Sequence, residues 1–597
     1  MTITVLLPII AALLIVLFYV GLPSLRDCPL QPAEAEAKKM TRGDRLAALC
    51  ITLCYAVVAF IGLGDREAAQ NPHVFDPGQP AVIELEGETQ LSRVRLFCGI
   101  NVGNYYVEYS KNGESWAYAG ELEQNYVAVL KWKELELSES VKTEPLRYIR
   151  ITADNDLYLN EIAVYNLYGD MLGISSENAP ELCDEQELVP EAASFMNSSF
   201  FDEIYHVRTA IEHRENIWPY EISHPPLGKL IIGIGIALFG TTPFGWRFMG
   251  TLFGVLMLPV MYVFLKKLFG GKAAPVVGTV IFAADFMHYV QTRIATIDTY
   301  AVFFILLMYL FMYLWCSEGK KRYLALSGVF FGIGAASKWT CIYAGAGLAC
   351  IWALHWIIRA RNARREKQDR LFPEFAKNCG FCVIFFVLIP AIIYYVSYYK
   401  YGAAKGLTGL GAFFTKEYAQ IVLDNQSFMF SYHSGVTASH PYSSRWYQWV
   451  LDIRPILYYL EYGADGTRQS FGAFVNPILC WAGLIALFVL GYEAIARRER
   501  RAAFILIGYL AQLLPWVFIT RITFEYHYFA CTVFLVLALG YVIELMRQWN
   551  PRWRLYAVGI SALCVLVFAM FYPALSGISV DNAAASRVLK WLPTWPF

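Results

Sequence analysis

Charge is scarce in this chain. Asp, Glu, Lys and Arg supply 16% of its 597 residues, where soluble proteins carry about 25%. The formal net charge is +0. That excludes nucleic acid as the partner, because neutralising a phosphate backbone takes a surplus of Lys and Arg. The 13 cysteines are scattered, mostly through apolar runs, and lack the paired spacing of a zinc site. Cys379 and Cys382 make a C-x-x-C inside an apolar run with no second pair. Cys98 and Cys183 are the two placed outside the membrane, and a disulfide between them stays open. No acidic triad or His-x-x-x-His spacing points to a metal, so neither metal nor cofactor is expected.

What is abundant is apolar and aromatic surface: 57% of residues are hydrophobic and 16% are Phe, Trp or Tyr, with a mean hydropathy of +0.41. About 20 apolar residues cross a bilayer core. By that rule spans are predicted near 3–20, 45–63, 248–265, 274–290, 298–316, 323–337, 340–358, 379–398, 472–492, 503–519, 525–546 and 554–573, about twelve transmembrane helices. Basic clusters follow at 38–45, 266–267, 320–322, 359–370, 497–501 and 547–554. All fall on one side if the N-terminus is outside, as retention of Lys and Arg in cytoplasmic loops requires. The apolar run 230–239 is too short to span, and counting it would reverse every later basic loop. The segment 225–239 therefore reads as an interfacial or re-entrant helix, and 3–20, which lacks a basic lead-in, as an anchor rather than a cleaved signal.

The long polar stretch 64–247 begins with β signals. Short strand-like runs stand at 81–85, 92–97, 105–109, 126–130, 147–152 and 161–165, with Asn112-Gly113 marking a tight hairpin. They predict a small extracytoplasmic β-sandwich over 66–172, followed by an acidic linker within 173–247. The runs VEYSKNGESW (107–116), LRYIRI (146–151) and LNEIAVY (159–165) resemble a discoidin-like domain. That resemblance implies a glycan or other surface ligand; a spacer packed on the rest of the chain is the alternative.

The residues able to do chemistry follow the linker. Asp202 and Glu203 lie beside aromatic residues, and at helical spacing Asp202 shares a face with His206. An N-cap on a surface helix is the bland reading of Asp202. At 224–229 stands HPPLGK, in which two prolines force the helix to begin after them, Gly228 permits close approach and Lys229 sits in the first turn. Arg293, Lys338 and Arg521 fall at the external ends of spans, where an ionisable group is costly unless it lines a cavity or snorkels outward. The loop 400–471 is rich in Tyr, Ser, Gly and His, and either caps the external face or approaches a substrate.

Together these segments resemble the protein O-mannosyltransferase family, through Asp202-Glu203, HPPLGK, Arg247, TRIATID (292–298), SKW (337–339), NPILCW (476–481) and PWVFITRITFEYHYF (515–529). The resemblance covers about 200–345 and 440–575. It implies a mainly α polytopic membrane protein of GT-C glycosyltransferase fold carrying the β-sandwich as an insertion. It implies a polyprenyl-phosphate-sugar donor, an exported protein or glycan acceptor, and an active site on the extracytoplasmic face of the cell membrane. In the family pattern Asp202 is the general base of an inverting transfer, with Glu203 supporting the sugar or the local fold. Arg293, Lys338, Arg521 and Lys229 are then candidates for the donor phosphate. His206, His224, Arg247, Asp298, Ser443, Trp446, Tyr526 and His527 are candidates for substrate contact, and Tyr528 and Arg454 are further picks. The chain departs from the family in its extra N-terminal span, the β-domain, the lack of a β-trefoil insertion, and Thr292 where Ser is usual. These departures leave the acceptor and sugar open. Transfer to a glycolipid or wall polymer is the rival within enzymes. A transporter is the rival outside them, though no internal repeat supports one.

Overall fold

The computed structural model describes residues 29–366 and 371–597, so the expected first span at 3–20 lies outside the described residues. The described chain forms two compact units, one of residues 29–61, 221–230 and 250–597, the other of 62–220 and 231–249.

The expected spans are helices among the described residues. Among the described residues nine are long and apolar enough to cross a bilayer: Arg42–Phe60, Pro243–Phe269, Asp298–Glu318, Thr340–Arg365, Leu371–Ala403, Pro477–Ile495, Arg500–Phe518, Glu525–Trp549 and Pro551–Phe571. The helix form satisfies every backbone amide within its own segment, as hydrocarbon demands. The run predicted at 274–290 is a broken pair, Ala273–Ala283 and Phe286–Thr292, bent by 55°. The break falls at Asp285, whose side chain caps the second piece by accepting from the His288 amide. The run at 323–337 is a helix of 17 residues, Lys321–Ser337. Leu227–Phe239 is a helix of 13 residues, shorter than a crossing needs. Lys266, one of the orienting basic residues, is buried in an ion pair with Asp44 at 3.0 Å.

Part of the loop 400–471 is ordered as a helix, Lys416–Gly435, and part as a hairpin of Ile456–Tyr462 and Thr467–Ala473, to which Val580–Asp581 adds a third strand. No strand was expected there, because its Tyr, Ser and Gly content reads as loop.

In the second unit two antiparallel sheets share one apolar core. The strands are β1 His73–Val74, β2 Ala81–Thr89, β3 Leu91–Cys98, β4 Gly103–Ser110, β5 Ala117–Gln124, β6 Lys131–Glu134, β7 Leu146–Ala153, β8 Tyr158–Asn166 and β9 Ile174–Ser175. The sheets run β1-β8-β3-β6 and β5-β4-β7-β2-β9. Period-2 alternation sends Ile83, Val107, Ile149 and Ile151 of one sheet, and Val94, Leu96, Ile162 and Val164 of the other, into the same core. The hairpin between β4 and β5 turns where expected. Gly113 takes φ +77°, and the Asn112 side chain accepts from the Glu114 and Ser115 amides at 3.1 and 3.2 Å. The run 126–130 is not a strand: it is a turn in which Leu130 takes φ 54°, and the chain pairs only from Lys131 onward. Cys98 and Cys183 carry free thiols, so the disulfide left open by the sequence is not formed.

Candidate active site

The two adjacent carboxylates of the second unit have different fates. Phe201 is held at φ 46°, a left-handed conformation costly for a bulky side chain. Asp202 then opens the helix Glu203–Glu215 as its N-cap, yet its side chain makes no capping bond to the helix amides. It is half-buried, while Glu203 is fully buried. Glu203 is gripped by Arg247 through two bonds, Nε to Oε1 and Nη2 to Oε2, each 2.8 Å. The other guanidinium bonds run to the carbonyls of Leu63 and Ser198, both at 2.9 Å. Arg247, expected among the substrate contacts, is 1% exposed. Its place is that of a clamp holding Glu203, because a buried pair of this kind persists only when its remaining donors are satisfied. His206 is buried one turn on from Asp202, donating its backbone amide to the Asp202 carbonyl at 3.2 Å.

In the first unit the segment before the HPPLGK helix folds around Glu221. Its carboxylate accepts from the Ser223 amide at 2.7 Å, contacts His224 Nδ1 at 3.1 Å and takes Lys229 Nζ at 2.5 Å. Lys229 also donates to the carbonyls of Glu221 and His224, at 2.8 and 3.1 Å, and is fully buried. Lys229, expected at a donor phosphate, is thus held by Glu221 and two carbonyls of its own segment. Asn425 donates to the Ile222 carbonyl at 2.9 Å and His433 Nε2 to that of Ser223 at 2.8 Å, tying the segment to the helix Lys416–Gly435.

Around His433 the other candidates gather. Its ring lies 5.2 Å from that of His224 and 6.3 Å from that of Trp339. Burial, then the neighbouring His224 and Arg521, push the His433 imidazole down to about 4. Burial also lowers His224. Both rings are therefore neutral donors or acceptors near pH 7 rather than cations. Lys338 pairs with Asp298 at 2.7 Å, and its ammonium lies 5.6 Å from the centre of the Tyr526 ring. Asp298 sits in the first turn of its helix, where the dipole favours a carboxylate. Tyr526 stacks on His527 at 4.4 Å, and His527 packs against Trp516 and Trp449 at 4.3 and 5.9 Å.

Arg521 lines a polar cavity of about 290 Å³ together with Ser443, Arg445, Gln448 and Thr523. Two loops make this cavity: Ser444 N donates to the Thr523 carbonyl at 2.9 Å and Arg445 to that of Thr520 at 2.9 Å. Lys338, Arg521, Asp298, His224, Tyr526, His527 and Ser443 are thus brought to one end of the first unit. Arg293 has other partners: it donates to the Ile61 carbonyl at 2.7 Å and to the Tyr289 hydroxyl, with Tyr289's ring 4.7 Å from its guanidinium carbon. Arg454 secures the Pro441 carbonyl at 2.7 Å. Trp446 is half-buried against Tyr447, and it is Trp449, one helical turn on, that stacks on His527.

Sequence reading missed Glu221, His433, Trp449 and Asp452. Asp452 is fully buried at φ 57°, and burial pushes its carboxyl well above the usual carboxylate range. His433 and Trp449 lie in the external loop that drew attention for its His and aromatic content. Nothing local distinguishes Glu221 or Asp452, whose roles depend on partners distant in sequence.

Several cations at one end of a helical membrane unit, facing aromatic rings and a polar cavity, suit an anionic leaving group and a sugar. The solved S. cerevisiae protein O-mannosyltransferase Pmt1-Pmt2 complex bound to the sugar donor shares the fold, with a TM-score of 0.58 at 12% identity, over 67% of this chain and 89% of that one. The protein has the helical membrane fold of that glycosyltransferase.

Two family models match: "Dolichyl-phosphate-mannose-protein mannosyltransferase" over 223–394 and "C-terminal four TMM region of protein-O-mannosyltransferase" over 419–595. The polyprenol-phosphate-mannose–protein mannosyltransferase of Mycobacterium tuberculosis (strain ATCC 25618 / H37Rv) is 24% identical over 480 residues, which is 71% of this chain and 88% of that protein. Its counterpart in Corynebacterium glutamicum is 24% identical over 493 residues, 73% of this chain and 92% of that one. The chain belongs to the protein O-mannosyltransferase family.

Proposed function

We propose that the chain transfers a mannosyl residue from a polyprenyl-phosphate donor to Ser or Thr hydroxyls of exported proteins, on the extracytoplasmic face of the cell membrane. The observation that carries the mechanism is the contrast between adjacent carboxylates. Glu203 is neutralised by Arg247, whereas Asp202 is half-buried at a helix start it does not cap. Asp202 is the general base. It takes the proton of the acceptor hydroxyl as the oxygen forms a bond to C1 of the sugar. The bond from C1 to the phosphate oxygen breaks in the same step, inverting the anomeric centre. The lipid phosphate leaves as a stable anion, so no general acid is needed, unlike hydrolysis of a glycoside. Lys338 and Arg521 supply charge for the departing phosphate, with Tyr526 and His527 as the apolar floor for the sugar or the first isoprene unit. No metal or other cofactor takes part in this reading.

The acceptor is a protein in this reading, and the β-sandwich unit binds glycan. Its support is a row of rings in that unit: Tyr126 and Tyr205 stack at 6.1 Å, and Tyr205 and Tyr220 at 6.5 Å, with Tyr126 and Tyr220 exposed. These rings cover one another's faces and Arg208 lies over Tyr220, so Tyr126, exposed at the end of the row, is the ring offered to the apolar face of a pyranose.

The test uses membranes containing the full chain, radiolabelled polyprenyl-phosphate mannose and a Ser/Thr-rich peptide. Label is expected in the peptide. Label in lipid or wall polymer alone would replace the acceptor, and donor movement without transfer would end the enzymatic reading.

A further inference from the structure

The helices that carry the site have opposite ends, and a second cavity lies there. Asp298–Glu318 begins at the Lys338 ion pair and, over 21 residues, rises about 31 Å at 1.5 Å per residue. Near its far end Tyr313, Cys316 and Ser317 line this cavity, whose volume is about 670 Å³. The helix Arg500–Phe518 runs the other way, from Arg500 and Arg501 at the cavity to Trp516 at the aromatic cluster.

Its chemistry is two-sided. Lys38, Arg359, Arg497, Arg498, Arg500 and Arg501 line it, against Glu493 and Glu499. Among the described residues, ion pairs take up Arg497 with Glu493 at 3.1 Å, Arg501 with Glu499 at 2.6 Å, and Arg359 with Glu374 at 2.6 Å. No such pair engages Lys38, Arg498 or Arg500, so cationic charge is in excess. Burial, followed by the charges of Arg501 and Lys267, pushes the Lys38 ammonium below its ordinary range, which an added anion would relieve. Arg498 stands at φ 56° where the chain turns between two helices. Leu354, Ile358, Phe504 and Ile507 add an apolar part to the same lining.

The geometry points to a binding site for an anionic phospholipid at this end of the membrane unit, remote from the transfer site. The phosphate ester meets Lys38, Arg498 and Arg500, and an acyl chain lies along the apolar part of the lining. Arg and Lys bind phosphate through charge-assisted bonds, and basic pockets between membrane helices on the cytoplasmic side take such headgroups. A zwitterionic headgroup brings a cation into the same positive field and is disfavoured. Free phosphate shares the anionic chemistry but leaves the apolar part uncovered.

Native mass spectrometry of the delipidated full chain in neutral detergent tests this, with dioctanoyl phosphatidylglycerol, dioctanoyl phosphatidylcholine and inorganic phosphate as separate probes. One saturable phosphatidylglycerol adduct is expected, held at least ~10-fold more tightly than phosphatidylcholine. The R498Q/R500Q variant should weaken it by about 10- to 30-fold, each basic residue near an anionic lipid contributing about a factor of five. K38Q, which alters no helix, should weaken it by about 5-fold and keeps the test valid if the double variant does not fold. Equal binding of the two lipids, or phosphatidylglycerol binding unchanged in both variants, would overturn the proposal. Phosphate that binds as tightly as phosphatidylglycerol and displaces it would overturn the lipid assignment in favour of a soluble phosphate.

Discussion

Glu203 and Arg247 form a two-bonded, fully buried ion pair, both bonds 2.8 Å long, immediately beside an Asp202 that takes no part in it. Of these chemically similar neighbours, Glu203 is held by the buried pair, and Asp202 is the one proposed above to accept a proton. Asp202→Asn should leave the amount and melting temperature of the purified protein unchanged and lower transfer by about 10²- to 10⁴-fold, the range of a general base. Glu203→Gln strands a buried guanidinium, which costs about 3–5 kcal/mol, so its main defect should be in yield and melting. Asp202→Asn that transfers at the normal rate removes Asp202 from the chemistry.

Arg521 and Lys229 should also part company. Arg521 opens onto a polar cavity, whereas Lys229 is enclosed by Glu221 and two carbonyls. Arg521→Gln is expected to lower kcat by about 10²- to 10³-fold with the fold intact, as loss of one charge-stabilising group does. Lys229→Met should melt earlier by an amount set by the uncompensated Glu221, with kcat per folded molecule much less affected. Transfer rates measured on protein quantified by its folded fraction separate the two outcomes.

How far the sequence disclosed this arrangement depended on the range of the interactions. Spans were legible because hydrocarbon demands long apolar runs, and the β-sandwich because alternation at 81–85 and 147–152 reports one buried face. The Asn112-Gly113 turn was legible for a local reason too. The run 126–130 failed because its apolar residues, Ala128, Val129 and Leu130, are buried within a turn, so burial imitated a strand. Family motifs brought Lys338, Arg521 and Asp298 forward together, but they could not say that Arg247 and Lys229 are consumed by Glu203 and Glu221. Those pairings are set by tertiary packing, as is the burial of Asp452.

The β-sandwich unit should weaken in alkali because of Glu161. This carboxylate is buried, accepts from the Ile162 and Glu185 amides at 2.9 Å each, and is pushed up by burial from its ordinary 4.5 to about 8. Between those values the folded unit keeps a proton that the unfolded chain has lost, so stability falls as pH rises through the window. Above about pH 8 the penalty is complete; below about 4.5 it vanishes. Glu161→Gln keeps one amide acceptor and removes the titration. The thermal resistance of residues 62–220 to proteolysis, followed in the full chain, should favour the variant more at pH 9 than at pH 5, by on the order of 2–4 kcal/mol. A difference independent of pH would refute the assignment to Glu161.

Gly228 offers a way to disturb Lys338, one of the cations proposed for the donor phosphate, without touching it. A Cβ built there would lie 2.7 Å from Ile297 Cγ2 and 2.9 Å from Ile297 Cβ, with the Ser337 carbonyl at 3.4 Å. Ile297 precedes Asp298, and Ser337 precedes Lys338. A β-branched neighbour is stiff, so relief requires the backbone to shift by some tenths of an ångström, moving one or both partners of the 2.7 Å Lys338–Asp298 pair. Overpacking of this size costs about 1–3 kcal/mol in stability, which a chain of this length can tolerate. Misplacement of groups that must meet a transition state costs more in rate, about 10²-fold for displacements near 1 Å. Gly228→Ala is therefore expected to fold, bind detergent-solubilised donor with little change in KM, and lose kcat by about 10-fold or more. A variant with normal kcat and lowered melting temperature would show that the HPPLGK glycine serves packing alone.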